Sequence, residues 1–267
     1  MLLRGIYTSA AGLISTQQRQ DITANNIANL DTTGYKQDKV ATKTFPEVMI
    51  QNKDSGIGDF RYNRKLGTMS FGAKNDVIQT DFAQGSVNET GNKLDVAING
   101  RGFFNVRFSD EQGTNIGYTR DGSFNTDSLG RVVYSGGLVL GRDVQTGQVG
   151  SMNVGNGDVY IDDKGNVFVD SVKRYTLVVS DFNDYNNLTK AGKNMYAANP
   201  NDPPTDISGQ GDTFEIKQGF LENSNADMAD EMISLMMNAR AYSANQRVLT
   251  TIDETLGKSV NEVGALR

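Results

Sequence analysis

The 267-residue sequence has no cysteine, no histidine and no tryptophan, and only 4 prolines. Without Cys there is no disulfide, no thiolate nucleophile and no Cys-based zinc site. Without His the commonest general base and metal ligand is missing, and a Ser-His-Asp triad is excluded. Any enzyme made from this chain must work with carboxylates, Lys, Tyr or Ser. Positive charge is in deficit: 26 Lys and Arg against 32 Asp and Glu give a net charge of -6. An acidic chain without a basic stripe argues against nucleic acid and against an anionic membrane surface as partners. No apolar run approaches the ~20 residues needed to span a bilayer. Met1-Leu2-Leu3-Arg4 has no basic leader region, and Gly5, Thr8, Ser9, Gly12 and Gln17 interrupt the apolar residues after it, so no cleavable signal peptide is expected.

An amphipathic stripe is present at each end. Leu3, Ile6, Ala10, Leu13, Gln17, Gln20, Ala24 and Ile27 recur at alternating intervals of three and four. Met228, Met232, Leu235, Ala239, Tyr242, Gln246, Leu249, Asp253 and Leu256 obey the same rule near the other terminus. This is the pattern of a coiled-coil seam. The polar members Gln17, Gln20, Gln246 and Asp253 are candidates for a shared polar layer that fixes register. Residues 1–43 carry five cations against three carboxylates, and 222–267 four against seven, which favours pairing of the two ends. Met228, Met232, Met236 and Met237 read either as core packing or as an adaptable interface.

The first helix is expected from about Leu3 to Leu30, weakened at Gly5 and Gly12 by ~1 kcal/mol each relative to Ala. A loop comes next at Asn29 to Lys36, with Gly34 suited to a left-handed turn. Residues 37–84 read as an extended arm with a hairpin or loop, its tip at Lys53 to Asp59 and a basic exposed stretch from Arg61 to Lys65. From 85 to 217 short strands recur, and the 29 glycines with Asn and Asp mark the turns between them. Leu94–Ile98 and Phe103–Phe108 flank the Asn-Gly turn at Asn99–Gly102. Phe124–Tyr134 and Tyr160–Val169 each read as strand, acidic turn with Gly, strand. Tyr175–Ser180 is a further strand and Asn199–Pro204 a loop. The last helix is expected to open at Ser224 as N-cap with Asp227 three residues on, like a capping box. The fold class is therefore α+β in several parts: N- and C-terminal helices pairing as a coiled coil, an extended arm and a central all-β domain. The expected divisions are 1–36, 37–84, 85–217 and 218–267.

Candidates for chemistry are few. Asp127, Asp162 and Asp163 fit turns better than calcium, because the EF-hand spacing and its terminal Glu are missing. Gly100-Arg101-Gly102 opens no helix and lacks the Gly-Lys-Ser/Thr of a phosphate loop. No cofactor or metal is expected.

Asn25-Asn26-Ile27-Ala28-Asn29 with Thr33-Gly34-Tyr35-Lys36 resembles the N-terminal signature of bacterial flagellar rod and hook proteins. Leu94 to Phe104 resembles their central signature, with Tyr118-Thr119-Arg120-Asp121-Gly122-Ser123-Phe124 next in order. Gly219 to Asp227, then Arg240-Ala241-Tyr242, is similar to their C-terminal block. The resemblance covers nearly the whole chain and, within the rod/hook axial family, is to basal-body rod proteins of the FlgG/FlgF type. It implies a non-enzymatic structural subunit of the basal-body rod, an axial driveshaft carrying torque from motor to hook. It implies export through the flagellar type III apparatus, self-assembly of the terminal helices around the export channel, and a β domain outside them. The implied partners are further copies of the chain, other rod and hook proteins, the export apparatus and ring proteins, with neither nucleic acid nor membrane insertion. The implied location is the basal body in the cell envelope. The expected assembly interface is Leu3, Ile6, Ala10, Leu13, Ala24, Asn25, Asn26, Ile27, Met228, Met232, Leu235, Ala239, Tyr242, Leu249 and Leu256. A hook or hook-junction subunit is the alternative within the family. A secreted β-domain hydrolase or adhesin with helical anchors is the alternative outside it.

Overall fold

A computed structural model describes residues 2–53, 63–110, 113–155, 157–192, 194–209 and 214–263. Asp54–Asp59 of the expected arm tip, and Arg61, lie outside the described residues. The chain has an N-terminal helix, a central many-stranded region and a C-terminal helix. It gathers into two compact units. One contains Met1–Ile27, Asp38–Gln79 and Met228–Arg267, and the other Ala28–Gln37 and Thr80–Asp227.

In the first unit, α1 spans Leu2–Ala28 and α2 spans Met228–Lys258. The start of α2 differs from the expected capping box. Ser224 Oγ accepts from the Ala226 N–H at 3.2 Å in a turn that precedes the helix, so Asp227 occupies the position before its first residue. A hydroxyl two residues from an N–H closes a local turn as readily as it caps a helix. Asp230 and Glu231 in the first turn suit the helix dipole. The arm contains two ladders. Strands Asp38–Thr44 and Ala73–Thr80 pair in one, and Val48–Lys53 runs antiparallel to Asn63–Met69 in the other. Alternate side chains along Asp38–Thr44 and Ala73–Thr80 are polar or exposed, which is why no strand pattern stands out there.

The second unit is built on a 13-stranded sheet. Its central strand Phe103–Asp110 pairs antiparallel with Gly113–Thr119, Gly137–Asp143 and Val179–Asp181. Because side chains alternate across a strand, Phe104 and Val106 enter one core with Val96, Ile98 and Ile216. Phe103 enters another with Tyr118, Phe182 and Tyr196. The strands flanking Asn99–Gly102 form but take different partners. Val96–Gly100 pairs with Phe214–Gln218, while Phe103 onward joins the large sheet. The turn is therefore a redirection rather than a hairpin. Gly102 at φ 121° makes it, with Val179 so near that a Cβ there would lie 2.6 Å from its Cγ1.

The two acidic segments are hairpins. Asn125–Thr126 pairs with Val132–Tyr134, and Val159–Ile161 with Asn166–Val169. Asp127 Oδ1 accepts from the Leu129 and Arg131 N–H groups at 2.9 Å each, and these bonds hold its carboxyl below the usual range. Asp162 Oδ1 accepts from the Asp163 N–H at 2.7 Å. Both acids are occupied by turn geometry.

A buried charge cluster ties this unit together. Lys36 and Glu222 are 0 % and 1 % exposed, and Arg120 is 3 % exposed. Lys36 Nζ donates to Glu222 Oε1 at 2.5 Å and to the Ala83 carbonyl at 2.7 Å. Glu222 Oε1 also accepts from the Gly85 N–H at 3.0 Å, and Oε2 from Arg120 Nη1 at 3.5 Å. Arg120 Nη2 donates to the Gly100 carbonyl at 2.8 Å and its guanidinium lies 5.3 Å from the Phe103 ring centre. Burial pushes the Lys36 ammonium below its usual pKa, and Glu222 pulls it back. Gly34 closes the cluster: at φ 64° its N–H donates to the Glu222 carbonyl at 2.7 Å, and a Cβ would lie 2.5 Å from the Asp121 nitrogen.

Removing one member of a buried ion pair costs about 3–5 kcal/mol, because the partner charge is left unpaired. Glu222→Leu strands both Lys36 and Arg120 and is expected to lower the unfolding free energy by that amount. Lys36→Met leaves Glu222 with Arg120 and the Gly85 N–H, and is expected to cost less. Urea unfolding followed by tyrosine fluorescence measures both, and the reverse order would show that Glu222 does not organise the cluster.

Candidate assembly interface

The two terminal helices pack against each other within the first unit. A Cβ at Gly5 would stand 2.9 Å from Ile252 Cδ1, and one at Gly12 would stand 2.8 Å from Asn245 Nδ2. Asn26 Nδ2 donates to Glu231 Oε1 at 2.9 Å. As the α1 number rises the α2 number falls, so the helices run antiparallel. The steps along both are multiples of seven, and the repeat places Asn238 opposite Arg19. Asn238 is the buried residue of α2. The less exposed positions of α2 are Glu231, Leu235, Asn238, Tyr242, Asn245, Leu249, Ile252 and Leu256, alternating by four and three.

This face differs from the expected stripe by one column. Leu235, Tyr242, Leu249 and Leu256 are half-buried, as the expected seam requires. Met228, Met232, Ala239, Gln246 and Asp253 are exposed, and their inward places are taken by Glu231, Asn238, Asn245 and Ile252. On α1 the residues meeting α2 are Gly5, Gly12 and Asn26. Ser9, Thr16 and Thr23 fall in the same three–four sequence and are buried. The physical reason is close approach: glycine leaves room for the α2 side chains, so small residues are selected inward and the larger ones flank them. Thr16 meets the burial by donating its hydroxyl to the Gly12 carbonyl at 2.8 Å. Ile6, Ala10, Leu13, Gln20 and Ile27 are half-buried, and Gln17, Ala24 and Asn25 are exposed. Leu3 falls within α1.

Asn26 is the point where helix, arm and partner helix meet. It is 2 % exposed. Its Oδ1 accepts from the Asp38 N–H at 3.0 Å, while its Nδ2 donates to the Asp38 carbonyl at 3.0 Å and to Glu231. A side-chain amide here completes the backbone pairing of the arm and holds the first turn of α2. Further along α1, Ser15 Oγ donates to Asn75 Oδ1 at 2.7 Å, and Asn75 Nδ2 donates to Gln18 Oε1 at 3.0 Å. The roles of Ser15, Asn75 and Glu231 carry no advance signal, because each depends on a partner distant in sequence.

Several large apolar side chains of α2 outside this stripe are exposed. Met228, Met232, Ile233, Met236 and Met237 are between 47 % and 65 % exposed. Five large apolar side chains on two turns and a half of helix exceed the scattered exposure of an ordinary surface.

Asn26→Ala removes the side-chain bonds to the Asp38 N–H and carbonyl and to Glu231, at about 0.5–1.5 kcal/mol for each bond lost. Asn26→Asp keeps the acceptor but sets a second carboxylate against Glu231, and is expected to cost at least as much. Chemical unfolding monitored at 222 nm checks both; a neutral Asn26→Asp would show that the Glu231 contact contributes nothing.

Three family models match the chain. Residues 6–36 match the flagella basal body rod protein model. Residues 97–169 match the D1 domain of flagellar hook proteins FlgE/F/G, and 217–262 the C-terminal model of the flagellar basal body rod FlgEFG proteins. The flagellar basal-body rod protein FlgG of Bacillus subtilis is 30 % identical over 97 % of this chain and 99 % of its own. The flagellar basal-body rod protein FlgF of Caulobacter vibrioides is 28 % identical, covering 98 % of both chains. The flagellar hook-basal body complex protein FlhO of Bacillus subtilis is 26 % identical over 99 % of this chain and 100 % of its own. Full-length similarity, with the matched segments at both paired helices and across the buried cluster, places the chain in its family: it belongs to the flagellar basal-body rod proteins of the FlgG/FlgF type, structural subunits of the basal-body rod.

Proposed function

We propose that this subunit carries torque along the rod from motor to hook and assembles through α1 and α2, which line the wall around the export channel. The observation that supports this most is the set of exposed Met and Ile side chains on α2 beside a seam whose α1 side includes Gly5 and Gly12. On the α1 side Gly5, Gly12 and Asn26 meet α2, and Ser9, Thr16, Arg19 and Thr23 fall in the same series. Such a stripe buries little hydrocarbon, and two glycines weaken the helix further. The helix pair therefore draws much of its stability from neighbouring subunits. The heptad steps between the helices support coiled-coil pairing, with Glu231, Asn238 and Asn245 as polar register positions. Interface residues flanking the seam, among them Ile6, Leu13, Met228 and Met232, then meet other copies and other rod and hook proteins.

The chain reaches its place by the flagellar type III export apparatus, in an extended state that a chain without disulfides suits. Ring proteins are further contacts. No catalysis belongs to this reading: Asp127 and Asp162 are engaged in turns, so the hydrolase alternative lacks free acids at these positions.

A chain shortened to residues 28–227, with the arm replaced by a short linker, is expected to keep a cooperative unfolding transition. It is also expected to lose assembly into rods. Sedimentation and complementation of a motility-deficient strain measure this. Rod formation by the shortened chain would refute assembly through the terminal helices.

A further inference from the structure

The sequence contains two Asn-Gly pairs, at 99–100 and 156–157, and the first lies wholly within the described residues. In such a pair the side-chain amide is open to attack by the next backbone nitrogen, because glycine has no Cβ to hinder the approach. Asn99 is exposed, and Gly100 after it sits at φ 111°.

Ring closure makes two geometric demands. The Gly100 nitrogen must leave its hydrogen-bond partner, and the Asn99 carboxamide must swing onto that nitrogen. The side chain of Gln84 opposes both. Gly100 N–H donates to Gln84 Oε1 at 3.0 Å. Gln84 Nε2 donates to Asn99 Oδ1 at 3.3 Å and to the Ile98 carbonyl at 3.2 Å. One carboxamide therefore occupies both the attacking N–H and the amide it would attack. On the other side, Asn99 Nδ2 donates to Glu215 Oε2 at 3.2 Å, across the rung that pairs these two residues. The backbone beside the rung is anchored: Ile98 is fully buried, and Arg120 Nη2 donates to the Gly100 carbonyl at 2.8 Å. With the main chain held, the side-chain bonds decide whether Asn99 reacts.

We propose that Asn99 is a site of deamidation through a succinimide, and that Gln84 sets its rate by holding the Gly100 N–H and the Asn99 carboxamide apart. When these bonds open, Gly100 N–H gives its proton to solvent base and the nitrogen adds to Asn99 Cγ. The Cγ–Nδ2 bond breaks and ammonia leaves. Water then opens the five-membered imide. Opening at one carbonyl gives aspartate at position 99, and at the other an isoaspartyl link that runs the backbone through the side chain. Either product replaces the donor facing Glu215 by a carboxylate, and like charges directly opposite on a ladder are destabilising. The isoaspartyl link also lengthens the main chain by one carbon, next to the carbonyl that Arg120 holds.

Gln84 is exposed, so Gln84→Met keeps the length of the side chain, removes its hydrogen bonds and leaves the core intact. The full-length chain and this variant are incubated in mildly alkaline buffer, with the unaltered chain in urea as the unfolded reference. The tryptic peptide Leu94–Arg101 carries the site, and its mass and chromatography report conversion of the amide to a carboxyl. The native chain is expected to convert more slowly than the unfolded one. Gln84→Met is expected to raise the native rate about fivefold or more, the effect of losing two net hydrogen bonds. Hydrogen exchange over Phe214–Gln218, the strand paired with Val96–Gly100, reports opening of the ladder itself. A rise in conversion that exceeds the rise in this exchange supports control by Gln84. Native conversion as fast as in urea, an unchanged rate in Gln84→Met, or a rise matched by exchange over Phe214–Gln218 each overturns the proposal.

Discussion

Lys36 and Glu222 are 186 residues apart and meet where neither is open to water. Burying two charges costs several kcal/mol each, and close pairing with added hydrogen bonds offsets much of it, although Arg120 Nε is left without a hydrogen bond among the described residues. Here the carboxylate takes Lys36, Arg120 and the Gly85 N–H, and the ammonium takes the Ala83 carbonyl. Those requirements bring together the loop after α1, the segment at 83–85, the strand ending at Gly100, the turn at Arg120 and the strand Phe220–Glu222. The cluster therefore ties together segments of the second unit that are far apart in sequence. The short blocks at 33–36, 99–103, 118–124 and 219–222 each supply a part of it.

The helix pair obeys a different rule. Gly5 and Gly12 stand close to Ile252 and Asn245, and Asn26 bonds Glu231 across the pair. Hydrocarbon is displaced outward, to Met236 and its neighbours on α2 and to Tyr7 and Ile14 on α1.

Much of this is legible in the sequence. Both helices, the strands at 96–100 and 103–110, and the hairpins around Asp127 and Asp162 follow from periodicity and turn residues. Leu235, Tyr242, Leu249 and Leu256 are half-buried positions of the expected stripe. The other half of the seam is displaced by one residue, because a rule that seeks apolar residues passes over Gly5, Gly12, Asn238 and Asn245. The spacing of Ser224 alone predicts a cap, although its hydroxyl closes a turn two residues on. A turn at Asn99–Gly102 is legible, but the partners of its flanking strands, at 214–218 and 113–119, are not.

By itself, the sequence determined which segments are helical, which are strand and turn, and that disulfide, thiolate and histidine chemistry are excluded. These are properties of local stereochemistry and composition, and they need no distant partner. Only the tertiary structure decided which face of each helix turns inward, which strands pair, and that Lys36, Arg120 and Glu222 share one interior. Those outcomes depend on residues a hundred or more positions apart competing for the same space and the same hydrogen bonds.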